Sequence, residues 1–227
     1  MIFDPLYFMF MLPAMLVGLW AQMKLSSAYG KYRQVGLTSD LSGAEAARKI
    51  LNRAGLVNVP VQEIPGQLTD HYDPSKHVLN LSSENFRGRS VAAVGVAAHE
   101  AGHALQQQAS YGPLNFRMAL VPVTQFASYA WIGIMLLGFV LGLTKLIWVA
   151  IGVLTVTMLF HLVTLPVEFD ASRRAREQLL RLGIVQAEEA RGVNQVLSAA
   201  ALTYVAALVG SIMQLLYFLS LARGRRD

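Results

Sequence analysis

The 227-residue chain is 54% hydrophobic and only 15% charged, against about a quarter charged in a soluble domain, which excludes an ordinary water-soluble globule. It contains no cysteine, so disulfides, thiolate metal sites and cysteine nucleophiles are excluded, and His, Asp and Glu are left as metal-ligand candidates. The net charge of +5 reads as basic residues flanking apolar spans rather than as a nucleic-acid surface, and no nucleic-acid module is recognisable.

Four apolar runs, Leu6 to Met23, Ala119 to Leu143, Leu146 to Val167 and Ala199 to Ala222, approach or exceed the roughly 20 residues that cross a bilayer core. The expected fold class is mainly α and integral to the membrane, with four transmembrane helices plus a small α+β subdomain. Residues 1–23 form the first span. Its short leader carries Asp4 and no Lys or Arg, so it reads as an uncleaved anchor rather than a signal peptide, although Ser26-Ser27-Ala28 offers small residues for cleavage.

Residues 24–118 are too polar and too punctuated for membrane and form the α+β subdomain. Ser42-Gly43-Ala44-Glu45 is a capping box, in which Ser42 accepts from the Glu45 amide and Glu45 reaches back to the Ser42 amide. The helix it opens should run to about Arg53, with Gly55 as its left-handed stop. Val57 to Val61 alternates as a short strand, with Pro60 favouring an edge position. Gln67 to Tyr72 and Lys76 to Leu81 read as a hairpin turning through Asp73-Pro74-Ser75.

The next helix, about 90–109, carries the most informative residues of the chain. His99-Glu100-Ala101-Gly102-His103 fits HExxH, whose two histidines, four apart on a helix, point the same way and can share one zinc ion. The intervening Glu100 is placed to act as a general base toward water. Gly95 and Gly102 cost about 1 kcal/mol each inside a helix, so close packing should compensate. The polar run Gln106-Gln107-Gln108 is expected to return to water.

Residues 119–167 form a hairpin of two spans turning at Thr144-Lys145, in which Gly133, Gly138, Gly142 and Gly152 should permit close helix contact. His161, on the third span, reads as a neutral histidine bonded to a neighbouring helix. Residues 168–198 form a helical segment, with Glu188-Glu189 on a solvated face. Residues 199–227 form the fourth span and a basic tail. Most Lys and Arg lie in 24–118 and 168–198, and the positive-inside rule makes their common face cytoplasmic. The tail arginines Arg223, Arg225 and Arg226 disagree with a simple fourth crossing, which leaves open a span that tilts, re-enters or packs within a homo-oligomer.

A catalytic zinc site usually takes three protein ligands. The glycine and third histidine that would follow soon after His103 in one zinc-protease class are missing from Ala104 to Gln108, so the third ligand must be distant. Glu168 is the best candidate, because the hairpin of spans returns it to the membrane surface from which the HExxH helix left. Its bland alternative is an interfacial glutamate paired with Arg173 or Arg174. His71 and Tyr72 are candidate oxyanion donors, since their hairpin immediately precedes the HExxH helix, and Arg173 is a candidate substrate contact. Arginines at the end of a span also anchor to anionic lipid.

Thr69-Asp70-His71-Tyr72-Asp73-Pro74, Gly88-Arg89-Ser90, Ala97 to Ala104 and Leu165-Pro166-Val167-Glu168-Phe169 resemble the YugP-type membrane zinc metallopeptidases over nearly the whole chain. The resemblance implies a bacterial membrane zinc endopeptidase, more distantly similar to the HtpX-like membrane proteases, which carry HExxH plus a downstream glutamate. In that broader pattern an aspartate four residues after the third ligand orients a ligand histidine. Here that position is Ser172, while Asp170 stands two residues after Glu168. Either is a candidate support for the ligands.

The expected protein is therefore a multi-pass endopeptidase of the bacterial cytoplasmic membrane with a zincin-like subdomain on the cytoplasmic face. It takes one Zn2+ per chain, on His99, His103 and Glu168, with Glu100 as base, and its partners are peptide or protein substrates and the bilayer. An extended substrate is expected along the strand Lys76 to Leu81. Two rivals remain. One is an intramembrane site-2-type protease, whose Asp-Gly pairing is not matched by Asp170-Ala171. The other is a zinc-binding scaffold or metal transporter, which has no need of Glu100.

Overall fold

The computed structural model describes residues 5–223. Asp4, Arg225 and Arg226 lie outside the described residues. In chain order the elements are α1 (Pro5–Tyr32), α2 (Gly43–Arg53), β1 (Val61–Ile64), β2 (His71–Asp73), β3 (Val78–Ser82), α3 (Ser83–Arg87), α4 (Val91–Gln108), α5 (Gly112–Val140), α6 (Thr144–Arg181) and α7 (Ala187–Arg223). Four of these helices, α1, α5, α6 and α7, are long and apolar enough to cross a membrane. In lipid only a helix or a closed barrel satisfies the backbone polar groups of such runs.

The helices outrun the apolar segments that nucleate them. α6 continues past Val167, through Pro166, to Arg181, so Glu168 sits within an unbroken helix. The region 168–198 is the end of α6, a turn and the start of α7, rather than one separate helical segment. The turn between α5 and α6 lies at residues 141–143 rather than at Thr144-Lys145, because Gly142 adopts a left-handed φ of 66°.

The chain divides into two compact units, one of residues 1–22, 115–165 and 203–227 and the other of residues 23–114 and 166–202. In the first, Met135, Ile147, Ala150, Ile151 and Ala222 form a small buried cluster, while Met9, Leu16, Phe126 and Leu136 stay exposed, as lipid-facing positions would be. Close helix contact through glycine is confined to Gly138, against Ile147 and Leu146; nothing lies within 4 Å of a Cβ built at Gly133, Gly142 or Gly152. The expected hydrogen bond of His161 also fails to form, since its buried Nδ1 has no partner among the described residues.

The second unit packs three strands against helices. Ile50 and Leu51 of α2, Leu79 and Leu81 of β3, Val94 of α4 and Leu179 of α6 belong to one fully buried cluster, each contributing about 1.5–3 kcal/mol of burial. The capping box opens α2 as the sequence requires, with Ser42 Oγ accepting from the Glu45 amide at 3.3 Å and Glu45 Oε2 accepting from the Ser42 amide at 2.8 Å. Gly55, at φ 77°, follows its end.

The sheet order is β1-β3-β2, with β1 parallel and β2 antiparallel to β3. Three expectations change. The strand predicted over Gln67 to Tyr72 is confined to His71–Asp73, with Asp73 in the strand rather than the turn, because Gly66 and Leu68 adopt positive φ. The strand predicted over Val57 to Val61 begins only at Val61, because the Leu56 and Val59 carbonyls are held by the Arg48 guanidinium and Pro60 has no N–H to donate. The strand predicted over Lys76 to Leu81 is central, so both its edges are taken and no substrate can add to it. The edge strands are β1 and β2.

α4 begins where Ser90 caps it, Oγ accepting from the Ala93 amide at 3.2 Å. Its small side chains allow burial nearly all round, and a Cβ on Gly102 would lie 2.5 Å from the Ala171 carbonyl oxygen of α6. That backbone approach sets α4 and α6 side by side at the HExxH turn.

Candidate metal centre

His99 and His103 stand one turn apart on α4 and face Glu168 on α6. Glu168 Oε2 lies 3.1 Å from His99 Nε2 and 3.7 Å from His103 Nε2, and one ligand atom from each of the three residues falls within 4.8 Å of the others. Tetrahedral zinc with nitrogen and oxygen ligands near 2.1 Å separates its ligand atoms by about 3.4 Å, so the two measured gaps bracket the spacing an ion would impose. Glu168 is 2% exposed and His103 9% exposed. Glu168 is thus paired with the histidines, while Arg173 and Arg174 pair with Asp170.

The far side of each imidazole is held by a different partner. His99 Nδ1 is 3.1 Å from Ser172 Oγ, and His103 Nδ1 is 3.0 Å from Gln106 Oε1. With Nδ1–H donating to these oxygens, both Nε2 atoms present lone pairs toward Glu168, the tautomer a metal ligand needs. Two such lone pairs and a carboxylate suit a divalent cation of the zinc type. Burial opposes protonation of His103, but hydrogen bonding to Glu168 and the charges of Glu168 and Glu100 outweigh it and hold the ring above its ordinary pKa. The site therefore favours positive charge.

Gln106 is the residue that sequence reasoning missed. The run Gln106-Gln107-Gln108 was expected in water, yet Gln106 is fully buried. Its Nε2 donates to the Val167 carbonyl at 2.7 Å and to Asp170 Oδ2 at 3.0 Å. Asp170 in turn accepts from Arg174 Nε at 2.6 Å and from Arg173. Both candidate supports on α6 are therefore connected to the ligands, Ser172 directly to His99 and Asp170 through Gln106 to His103. The available signal was spacing, since Gln106 follows His103 by three residues and shares its helix face.

Glu100 is 8% exposed, and its Oε2 accepts from the Tyr72 amide at 2.9 Å. This amide belongs to β2, whose outer edge therefore faces the HExxH helix. The Tyr72 hydroxyl donates to Gln107 Oε1, and burial followed by the charge of Asp73 raises its pKa. His71 is not brought to the ligands: it is exposed, with Nδ1 on the Thr69 carbonyl at 2.8 Å and Nε2 3.1 Å from Asn80 Nδ2. Arg173 is also exposed, and bonds Asp170 and Glu177. Glu189, expected on a solvated face, instead accepts from the Thr38 amide and hydroxyl and the Gln186 amide.

This donor set, in a chain with four membrane-length helices, defines a class, the membrane-bound zinc peptidases. The family model described as "Putative neutral zinc metallopeptidase" matches residues 7–223, and the chain belongs to that family. It is 45% identical over 222 residues to the "Putative membrane protease YugP" of Bacillus subtilis (strain 168), an alignment covering 98% of this chain and 99% of that one. No solved structure matches the chain.

Proposed function

We propose that the protein is an endopeptidase that hydrolyses peptide bonds with one zinc ion held by His99, His103 and Glu168 and with Glu100 as general base. The observation that carries this reading is the convergence of the three ligand atoms, with both Nδ1 atoms already engaged elsewhere. Bound there, zinc supplies the Lewis acidity that lets water ionise near neutral pH. Glu100 accepts the proton of the attacking water and passes it to the leaving amine. Ser172 and Gln106 keep the imidazoles in the ligating tautomer.

The substrate segment lies along the outer side of β2 rather than on β3. The Tyr72 amide on that side is held by Glu100, so a segment placed there meets the base, and backbone hydrogen bonds at a sheet edge favour extended, unfolded segments. Unfolded or membrane proteins are accordingly the substrate class, and turnover takes place at the cytoplasmic face of a bacterial cytoplasmic membrane, with the orientation carried by the basic residues. The intramembrane alternative is disfavoured because α4 is not among the helices long and apolar enough to cross. A scaffold or transporter gives the buried Glu100 no role beyond accepting the Tyr72 amide.

Glu100→Gln should lower turnover of casein or an unfolded membrane protein by about 100-fold or more while zinc stays bound. Equal activity in the variant, at matched zinc content, would overturn the assignment of the base.

A further inference from the structure

Away from the metal ligands, the second unit contains a cavity of about 450 Å³ between the C-terminal end of α2, α4 and the last turns of α6. Its lining includes four guanidinium groups, those of Arg53, Arg173, Arg174 and Arg181. Arg173 pairs with Asp170 and Glu177, and Arg174 with Asp170. Arg53 and Arg181 have no hydrogen-bond or ion-pair partner among the described residues. Four positive charges against two carboxylates leave an excess of two around a concave space.

The carbonyl ends of α2 and α6 attract Arg53 and Arg181, but that attraction gives their guanidinium N–H groups no protein acceptor among the described residues. Like charges gathered around one cavity repel each other, and a bound anion removes the repulsion while satisfying the forked donors. A tetrahedral phosphate group matches this arrangement, since its oxygens accept from two or more guanidinium planes at once.

We propose that this cavity is a binding site for a phosphate-bearing anion, held by Arg53 and Arg181 with Arg173 alongside. The shared chemistry is the phosphate group, whether it arrives as free phosphate or as the headgroup of an anionic lipid. Arg53 and Arg181, which carry the proposed binding, bond neither the three ligand residues nor Gln106 and Asp170 behind them, whereas Arg173 and Arg174 reach His103 indirectly through Asp170 and Gln106.

The test is calorimetric titration of the zinc-loaded, full-length protein in neutral detergent. The titrants are inorganic phosphate, dihexanoyl phosphatidylglycerol and, as a zwitterionic control, dihexanoyl phosphatidylcholine. Arg53→Gln/Arg181→Gln should weaken anion binding at least about tenfold, the loss expected from two charge-assisted contacts. Both arginines are exposed, so the fold should persist, which the melting temperature checks. Arg191→Gln, remote from the cavity and paired with Glu188, should bind as wild type does. Binding of both anions with loss in the double variant supports recognition of phosphate itself, and binding of phosphatidylglycerol alone with the same loss supports a lipid headgroup. Equal binding by wild type and double variant, equal binding of phosphatidylcholine, or no binding of either anion overturns the proposal.

Discussion

Two exposed glycines of the apolar unit and the glycine of the HExxH turn meet different surroundings, and the difference separates what composition decides from what geometry decides. Gly133 and Gly152 lie in the apolar unit, and a Cβ added at either meets nothing within 4 Å. Gly102 lies in the other unit, and there a Cβ would press to 2.5 Å from the Ala171 carbonyl oxygen. A Cβ is accommodated at the first two positions. At the third, only glycine lets α4 approach α6 closely enough for Glu168 to meet His99 and His103.

Gly102→Val should break this contrast most severely, because the clash is with backbone and cannot be relieved by a rotamer change. A loss of about 3 kcal/mol or more is expected, together with loss of bound zinc, measured by thermal melting and metal analysis in detergent. Gln106→Leu follows: it strips His103 Nδ1 of its acceptor and removes the amide that ties the Val167 carbonyl and Asp170 to this acceptor, so zinc affinity should fall about 10–100-fold by chelator competition. Ser172→Ala removes a single hydroxyl from His99 and should cost about tenfold or less in the same assay.

The pH response is smaller but has a definite sign. In the zinc-free chain the pKa of His103 is raised above its ordinary 6.5, so the stability it draws from Glu168 is complete below 6.5 and lost as pH rises through the raised value. Zinc requires the neutral ring, so its affinity should run the opposite way and weaken as pH falls through that same value. Melting curves of zinc-free and zinc-loaded protein across this interval should therefore slope in opposite directions; parallel slopes would remove His103 from the ligand set. Gly152→Ala completes the series as the control, with stability within about 1 kcal/mol of wild type and no change in zinc content.

Much of the site was legible because its signals are local. HExxH fixes the face of α4, Ser90 and the capping box at Ser42 mark helix starts through side-chain oxygens, and hydropathy alone finds the four long helices. Glu168 was reachable because a hairpin of spans returns the chain to the same side. The remainder depends on tertiary pairing. Whether Lys76 to Leu81 is an edge or a centre depends on β1 crossing to its far side, which no local pattern encodes. A glutamine reads as polar until the cavity around it is known, so Gln106 became visible only when Val167 and Asp170 were seen to bind its amide. The same holds for Glu189, whose acceptor role requires Thr38 from 151 residues away.

The most direct test of the three-ligand centre is zinc stoichiometry at a fixed, buffered free-zinc concentration in wild type and Glu168→Ala. One zinc per chain is expected in the wild type, with the variant losing nearly all of it while keeping its helical content, because two imidazoles alone leave the ion without its buried carboxylate. Full zinc occupancy in Glu168→Ala would contradict the assignment of Glu168 as the third ligand.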